Sequence, residues 1–332
     1  MSAVSVILPV HGSRTEIDRA ILSVVSQSFP DWTLAIPAFQ TSSQVDLILK
    51  KWSSHDKRIN VLYTDEPGIP AALNLAISAF PNSKYIARLD SDDIMLPNRL
   101  LRQFRYLESH PKCVIVGGQR ILLGEKDQVI FNKTWYSLFD FQLRSKFNID
   151  SPFAHPAVMI RGDALKRVGG YRREFQSSED LDLWFRLLEI GSGHNLKSRV
   201  VAYRTQKAEK GDSRNNENIE PWKHIPLLCS ILRGLGIQEN LDGIHESPRN
   251  WCERMIQVMR NTSKSTFLVN HLINRVSQDL NFEGKKPDFT QTHRFIRQKV
   301  VWRLVFPFLI LRHKSDRIFW NVVSRDLGVG GS

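Results

Sequence analysis

The chain contains the stretch Tyr85-Ile86-Ala87-Arg88-Leu89-Asp90-Ser91-Asp92-Asp93, in which an apolar, strand-like run ends in three carboxylates within four residues. Carboxylates this close repel one another and are costly to bury without a cation. Such a cluster is either solvated, as in a turn or a helix cap, or bound to a hard cation such as Mg²⁺ or Mn²⁺. Both interpretations stay open on these residues alone, although open α/β sheets bind ligands at the carboxyl ends of their strands.

Segments with strand and helix patterns alternate around this cluster. Apolar, β-branched runs predict strands near residues 4–10, 33–39, 58–63 and 85–89. Apolar side chains at helical spacing predict helices near residues 15–28, 43–53, 70–80 and 97–110, with Pro97 in the first turn of the last one. This order indicates parallel βαβ units in an α/β fold, with a mostly parallel sheet flanked by helices.

The pattern changes along the rest of the chain. Residues 114–118 predict a strand, residues 163–168 and 179–190 predict helices, and Gly191 suits the C-cap of the second helix. Residues 206–218 are polar and predict a loop, and we expect mostly helices beyond it. We therefore predict a catalytic domain over residues 1–214 and a helical appendage over residues 215–332.

The composition of this 332-residue chain narrows the class of protein. The three cysteines, Cys113, Cys229 and Cys252, form neither a CxxC pair nor a metal-ligand spacing, which favours a reducing compartment. The first residues lack the basic region of a signal peptide, and no apolar run approaches the roughly 18 residues of a spanning helix. We expect a cytoplasmic protein.

The formal net charge is +12, and residues 285–332 contain ten Lys or Arg against three Asp or Glu. Large apolar side chains such as Trp302, Phe306 and Phe308 are interleaved with these bases. Two compatible interpretations stay open: an interfacial segment lying on an anionic membrane, or a helical subdomain packed on the core with a basic face. We expect no nucleic-acid binding, because the chain has no recognised nucleic-acid-binding motif.

Residues 3–205 resemble the family 2 glycosyltransferases of the GT-A type in the order and spacing of several short motifs. These are Val6-Ile7-Leu8-Pro9-Val10, Val25-Ser26-Gln27-Ser28-Phe29-Pro30, Ala71-Ala72-Leu73-Asn74, the acidic cluster, His155-Pro156-Ala157-Val158-Met159, Gly169-Gly170-Tyr171 and Ser178-Glu179-Asp180-Leu181-Asp182-Leu183-Trp184. The resemblance implies a GT-A fold and an inverting enzyme. It would move a sugar from a nucleotide-diphosphate sugar to a hydroxyl of a saccharide or lipid-linked glycan in polysaccharide biosynthesis.

The resemblance also implies a donor site around the acidic cluster. Asp92 matches the family's ligand for Mn²⁺ or Mg²⁺, which would stabilise the charge of the diphosphate leaving group. Asp90 would contact the ribose or the metal, whereas Asp93 could simply cap the following helix. Further nucleotide contacts are expected from Pro9, Phe39, Arg88 and Ser91. Arg88 has a second interpretation, as a surface residue opposite Leu89 on the strand.

Asp180 resembles the family's catalytic base, which takes the proton of the acceptor hydroxyl, and Glu179 is its neighbour. One direct displacement inverts the anomeric carbon. Alternatively, Glu179, Asp180 and Asp182 only complement the positive end of the helix that they begin. His155 also has two interpretations, as part of a structural turn or as a lining residue of the acceptor site.

Two departures from the family pattern affect the expected function. Ala38 and Phe39 stand where the family has an acidic pair, one member of which hydrogen-bonds uracil. Phe39 could stack on a base instead. No His follows Arg204 within the loop, although Lys207, Lys210 or Arg214 could supply positive charge. These departures leave a second hypothesis, a non-catalytic scaffold that has lost nucleotide binding.

Overall fold

The computed structural model describes residues 2–280, apart from residues 125–126, 131–135, 141, 144–150, 176, 206–218, 263–269, 271, 275 and 278–279. The predicted domain boundary at residue 214, the loop at residues 206–218 and the basic segment at residues 285–332 lie outside the described residues. The chain divides into two compact units, one formed by Met1–Leu227 with Leu241–Cys252 and the other by Leu228–Asn240 with Glu253–Ser332.

The first unit contains a sheet of ten strands. They are β1 (Val4–Ile7), β2 (Val10–Gly12), β3 (Trp32–Thr41), β4 (Ile59–Thr64), β5 (Tyr85–Arg88), β6 (Ile94–Met95), β7 (Cys113–Leu123), β8 (Val129–Ile130), β9 (Met159–Arg161) and β10 (Ser192–Arg204). The order is β2-β3-β1-β5-β9-β7-β10-β6, with β4 also paired to β3 and β8 to β7. Strands β1, β3, β4 and β5 run parallel, whereas β9 is antiparallel to both β5 and β7. The mixed, mostly parallel α/β fold is therefore confirmed.

Helices cover both faces of the sheet. They are α1 (Ile17–Val25), α2 (Ser43–His55), α3 (Ile69–Ala79), α4 (Arg99–Ser109), α5 (Gly162–Arg167) and α6 (Glu179–Ile190). Two further helices, α7 (Ile219–Leu235) and α8 (Pro248–Arg260), each have residues in both units. Successive strand residues point to opposite faces, so Val4 and Val6 pack in one buried cluster while Ile7 packs in the other. The first cluster includes Ile17 and Ile21 of α1, and the second includes Leu73 of α3 and Trp184 of α6, the last fully buried. Each fully buried aliphatic side chain contributes about 1.5–3 kcal/mol.

Most predicted segments match the observed elements, and the exceptions have physical reasons. The structure splits the strand predicted at residues 4–10 in two, because Pro9 has no N–H to give to a ladder. Helix α4 begins at Arg99, after Asn98 in the left-handed region (φ 63°), so the placement of Pro97 in its first turn is wrong. The prediction missed β10, in which Lys197 and Arg199 stand just before the fully buried Val200 and Val201.

The described parts of the second unit contain helical segments with buried apolar side chains. Buried side chains there include Cys229, Leu232, Ile256, Met259 and Ile273. Arg260 donates hydrogen bonds to Asn274 at 3.1 Å and to Ser277 at 3.3 Å. Over the described part of the chain, no helix combines the length and the apolarity needed to cross a bilayer.

Candidate active site

A cavity of about 570 Å³ opens at the carboxyl ends of β1, β3 and β5. Its lining is Pro9, Val10, His11, Arg14, Phe39, Gly68, Ile69, Ala72, Arg88, Asp90, Ser91, Asp92, Tyr203, Arg204 and Thr205. All six residues expected to contact the nucleotide or its metal are in this set. They come from chain segments far apart in sequence, which the parallel register of the strands brings to one edge of the sheet.

Each of the first two carboxylates of the acidic cluster has an arginine partner. Asp90 accepts from Arg88 with an Nη2–Oδ1 distance of 2.5 Å, and Asp92 forms an ion pair with Arg14. Burial and then the charge of Asp90 raise the pKa of Asp92, although Arg14 acts in the opposite direction. A further cation close to Asp92 would therefore be favourable.

Asp93 is held inside the protein. Its side chain is almost fully buried, and Oδ1 accepts a hydrogen bond from the backbone N–H of Arg204 at 2.8 Å. Burial and then Asp90 raise the pKa of Asp93 to about 8. Since the following helix begins only at Arg99, the interpretation of Asp93 as its cap is wrong. Asp93 instead joins the acidic cluster to the end of β10.

Arg88 is buried, with 5% of its surface exposed, so its interpretation as a surface residue is wrong. Its Nε and Nη1 make no hydrogen bond to any described residue. Burial lowers the pKa of Arg88, but the negative charge and the hydrogen bond of Asp90 have the larger effect. The pKa of Arg88 is therefore raised. Each unsatisfied buried donor costs about 1–3 kcal/mol. Arg88 has two such donors in the wall of the cavity, so a ligand that brings a hydrogen-bond acceptor to this site would be favoured.

Two residues that sequence reasoning did not assign fix the geometry behind the cavity. Arg99 is fully buried and donates to the carbonyl oxygens of Pro156 at 2.6 Å and of Arg88 at 2.8 Å. Its Nε donates to Gln103 at 3.0 Å, and Gln103 donates to the carbonyl of Ala157 at 2.7 Å. Burial lowers the pKa of Arg99 to about 9. These side chains tie the end of β5 to the turn at His155–Ala157.

A second pair of carboxylates stands at the start of α6. Ser178, just before this helix, lies in the left-handed region at φ 62°, a conformation that non-glycine residues rarely adopt. Burial and then Asp180 raise the pKa of Glu179 to about 8, and burial raises the pKa of Asp180 as well. Asp180 accepts from the backbone N–H of Leu181 at 2.8 Å, whereas the Ser151 hydroxyl donates to the carbonyl of Phe153 at 2.8 Å and lies 3.5 Å from Asp180. The Leu181 N–H favours charge on Asp180, so the proton that the pair retains belongs on Glu179.

The third acid of α6 has a different role. Asp182 is 1% exposed and accepts from Arg186 at 2.6 Å and from Arg172. Arg186 also donates to the carbonyl oxygens of Val168 at 2.6 Å and of Gly170 at 2.8 Å. Asp182 therefore holds the loop before α6, while Glu179 and Asp180 have no such ion pair among the described residues.

His155 lies in a single turn of 3₁₀-helix and also faces the carboxylate pair. Its Nε2 is 2.8 Å from the Tyr171 hydroxyl, and its Nδ1 is 3.8 Å from Glu179 Oε1. Burial and then the charge of Arg88 hold the pKa of His155 well below its usual value. The structure thus places His155 both in the turn and at the carboxylates.

Two aromatic rings lie side by side at the other end of the cavity. His11 and Phe39 are register partners in β2 and β3, and their ring centroids are 6.3 Å apart with planes 9° from parallel. His11 was not among the expected site residues, and its signal would have been its position two residues beyond Pro9. Ala38 is buried, so Phe39 alone of the two replaced positions lines the cavity.

The residues at the cavity fit a divalent ion that arrives with a diphosphate. No cluster of three His, Cys, Asp or Glu able to enclose an ion occurs within the described ranges. Mg²⁺, however, is usually bound through one or two carboxylates together with substrate phosphates. Asp90 and Asp92 offer those oxygens, and a bound cation would offset the burial and the charge of Asp90 that raise the pKa of Asp92.

Comparison with known proteins agrees with this geometry. Residues 5–169 match the family described as glycosyl transferase family 2. The O-antigen biosynthesis glycosyltransferase WbnJ of Escherichia coli is 33% identical over 198 residues, which are 57% of this chain and 72% of WbnJ. EpsE of Bacillus subtilis (strain 168), named as a glycosyltransferase, is 30% identical over 206 residues, 60% of this chain and 72% of EpsE. The chain belongs to glycosyl transferase family 2.

The solved structures of TarS from Staphylococcus aureus have the same fold. TarS residues 1–349 in complex with UDP-GlcNAc superpose with a TM-score of 0.58 at 15% identity, over 84% of this chain and 88% of TarS 1–349. The comparison spans 53% of the longer TarS chain. This family 2 glycosyltransferase therefore has the GT-A-like arrangement that its motifs implied.

Proposed function

We propose that this glycosyltransferase moves a sugar from a nucleotide-diphosphate sugar to a hydroxyl of a saccharide or lipid-linked glycan, with inversion, in the biosynthesis of a surface polysaccharide. One observation carries the proposal: the buried Arg88 forms an ion pair with Asp90 in the cavity at 2.5 Å, and its charge also lowers the pKa of Glu179 and Asp180 on α6, so it lies between the cavity and that carboxylate pair. A donor bound in the cavity would therefore have its sugar beside a base.

The donor's nucleotide would occupy the cavity. Phe39 and His11 offer aromatic faces for the base, and Asp90 offers a carboxylate for the ribose. Mn²⁺ or Mg²⁺, when bound, would act as a Lewis acid on the diphosphate. Arg14 and Arg204 line the same cavity and add positive charge where the leaving group becomes negative.

The acceptor would react at the second carboxylate pair. Asp180 takes the proton of the acceptor hydroxyl while the acceptor oxygen forms its bond to the anomeric carbon. The bond between that carbon and the phosphate oxygen breaks, and the nucleoside diphosphate leaves with the electron pair. The Leu181 N–H orients Asp180 and favours its ionised form, and Glu179 retains the proton of the pair.

The relatives support the class of donor and of pathway. WbnJ is named for O-antigen biosynthesis, and TarS was solved with UDP-GlcNAc. UDP-sugars are therefore the first donors to test. Peripheral contact of residues 285–332 with an anionic membrane, and support of the diphosphate by Lys207, Lys210 or Arg214, stay predictions because those residues lie outside the described part of the chain.

A thermal-shift screen tests donor binding, with UDP-, GDP-, CDP- and dTDP-sugars in the presence and absence of Mn²⁺. We expect a metal-dependent stabilisation with one nucleotide in the wild type and in Asp31→Ala, a control at the opposite end of the sheet. The shift should be lost in Asp92→Ala. Absence of binding by every nucleotide would favour the non-catalytic scaffold.

A further inference from the structure

We propose that Tyr171 and His155 are positioning residues for Glu179: the Tyr171 hydroxyl selects the imidazole tautomer that turns Nδ1–H towards the Glu179 carboxyl group. This inference rests on the proposed function only for its effect on sugar transfer. The tautomer itself is a property of the protein without substrate, so the two can be tested separately.

The direction of the hydrogen bond between Tyr171 and His155 follows from their chemistry. Burial raises the pKa of Tyr171 well above its usual value, so the hydroxyl keeps its proton. Within the described residues, the hydrogen bond of this hydroxyl is to His155 Nε2 at 2.8 Å. If Nε2 donated, the buried Tyr171 proton would have no acceptor, which is costly. Nε2 therefore accepts, and the single proton of the neutral imidazole is on Nδ1.

The backbone that carries Tyr171 is fixed by side-chain hydrogen bonds, and its buried side chain is thereby placed beside His155. Asn74 of α3 donates through Nδ2 to the Tyr171 carbonyl at 2.7 Å and accepts from the Tyr171 N–H at 3.0 Å, as a strand partner would. Arg186 binds the carbonyl of Gly170 from the other side. A Cβ at Gly170, where φ is +70°, would lie 2.8 Å from Asn74 Oδ1, so this loop accepts no larger residue without moving its clamp.

The imidazole is oriented on its remaining sides too. Trp184 packs edge-on against His155, with centroids 5.6 Å apart and planes at 85°. Nδ1 then lies 3.8 Å from Glu179 Oε1, beyond a direct hydrogen bond but close enough for the N–H dipole to act on that oxygen. An N–H that faces Oε1 favours the state in which Oε1 carries no proton and can act as an acceptor. The proton retained by Glu179 is therefore directed to Oε2, the oxygen turned away from His155.

The other charged groups around Glu179 do not replace this effect. Those that act on it or on its two partners are Asp180, Asp90, Arg88 and Arg186. Asp180 and Asp90 push a proton onto Glu179, and Arg88 opposes them without choosing between the two oxygens. The His155 N–H is the directional donor on this side of the carboxyl group.

Nitrogen NMR of the free protein, labelled with ¹⁵N-histidine, tests the tautomer directly. The signals of His155 are assigned by their absence from His155→Gln, with His55→Gln, at an exposed position on α2, as the control. We expect a neutral ring with its proton on Nδ1 from pH 5 to pH 8 in the wild type, and a mixture of tautomers in Tyr171→Phe. A proton on Nε2 in the wild type, or a ring that becomes charged above pH 5, would overturn the proposal.

The pH dependence of sugar transfer tests the effect of this tautomer on the Glu179 carboxyl group. In Tyr171→Phe, Nδ1 can present a lone pair to Glu179, which raises the pKa of the carboxyl group, so the basic limb of kcat should move up by roughly one pH unit. The KM for the donor should stay within about twofold of the wild-type value. The control Tyr63→Phe, at an exposed position of β4, should behave as wild type. An active variant with reduced thermal stability and an unshifted profile would show that Tyr171 is only structural. A wild type inactive with every nucleotide sugar would contradict the proposed function and leave the NMR result to decide the tautomer.

Discussion

Arg14 and Asp92 form an ion pair inside the cavity, so the carboxylate that we expect to bind the metal already contacts an arginine. A divalent ion must displace this guanidinium or share Asp92 with it. We predict that Arg14→Ala lowers the Mn²⁺ concentration needed for half-maximal stabilisation by nucleotide, because the competing cation is gone. A Mn²⁺ titration followed by thermal shift measures this concentration. Arg102→Ala, at an exposed position of α4, is the control. An unchanged or higher Mn²⁺ requirement would show that Arg14 does not compete with the ion.

Glu179 should make the stability of the free protein depend on pH. Its pKa is raised to about 8 in the folded state, against about 4.3 for an ordinary glutamate. Between these values the folded state holds a proton that the unfolded state has lost, so stability is fully present below about pH 4 and falls as pH rises towards 8. Glu179→Gln should weaken this fall in melting temperature between pH 5 and pH 8. Glu174→Gln, an exposed neighbour, should keep the wild-type slope, and an equal slope in Glu179→Gln would refute the assignment.

Phe39 is predicted to hold the nucleotide by stacking. Stacking of a base on an aromatic side chain contributes about 1–3 kcal/mol, so Phe39→Leu should weaken nucleotide binding by at least about fivefold. Calorimetry with the nucleotide selected in the screen measures the dissociation constant. Phe139 is 53% exposed and does not line the cavity, so the control variant Phe139→Leu should bind the nucleotide with wild-type affinity. Equal affinities for both variants would mean that the base lies elsewhere.

The backbone of the first hundred residues was predictable because local pattern and tertiary role agree there. Strands β1 and β5 are buried along their whole length and are apolar except at Ser5 and Arg88, and α6 was predicted with its observed bounds because its apolar period and Gly191 mark both ends. Strand β10 was missed because its first half alternates exposed and buried residues around register shifts, and Lys197 and Arg199 obscure the apolar pattern.

The site was predictable only where residues sit in a recognisable motif. Asp90, Asp92, Glu179 and Asp180 were singled out because each stands in a motif that resembles the family's, whereas their positions on a strand end or a helix start left other interpretations open. His11 lies in β2 and Arg14 follows it, and both reach the cavity through the path of the chain after β1, which no local pattern encodes. The role of Arg99 depends on carbonyl oxygens about 57 residues away in sequence, which only the folded chain brings into range.

Arg99 should be a stability determinant that lysine cannot replace. Its planar guanidinium binds several carbonyl oxygens at once, whereas an ammonium presents a point charge. We predict that Arg99→Lys lowers the free energy of unfolding by about 2 kcal/mol or more, since hydrogen bonds from charged groups contribute about 1.5–3 kcal/mol each. Urea denaturation measures the loss, and Arg102→Lys on the exposed side of α4 should change little. A stable Arg99→Lys would show that the carbonyl cluster needs only a charge.

The transfer rate of Asp180→Asn, measured beside its affinity for the donor nucleotide, tests the proposed chemistry most directly. General base catalysis contributes about 10²–10⁴-fold, so we predict a loss of that size in kcat with the dissociation constant of the nucleotide unchanged. Asp31→Asn should retain full activity. Transfer by Asp180→Asn at close to the wild-type rate would contradict the assignment of Asp180 as the base and, with it, this account of the active site.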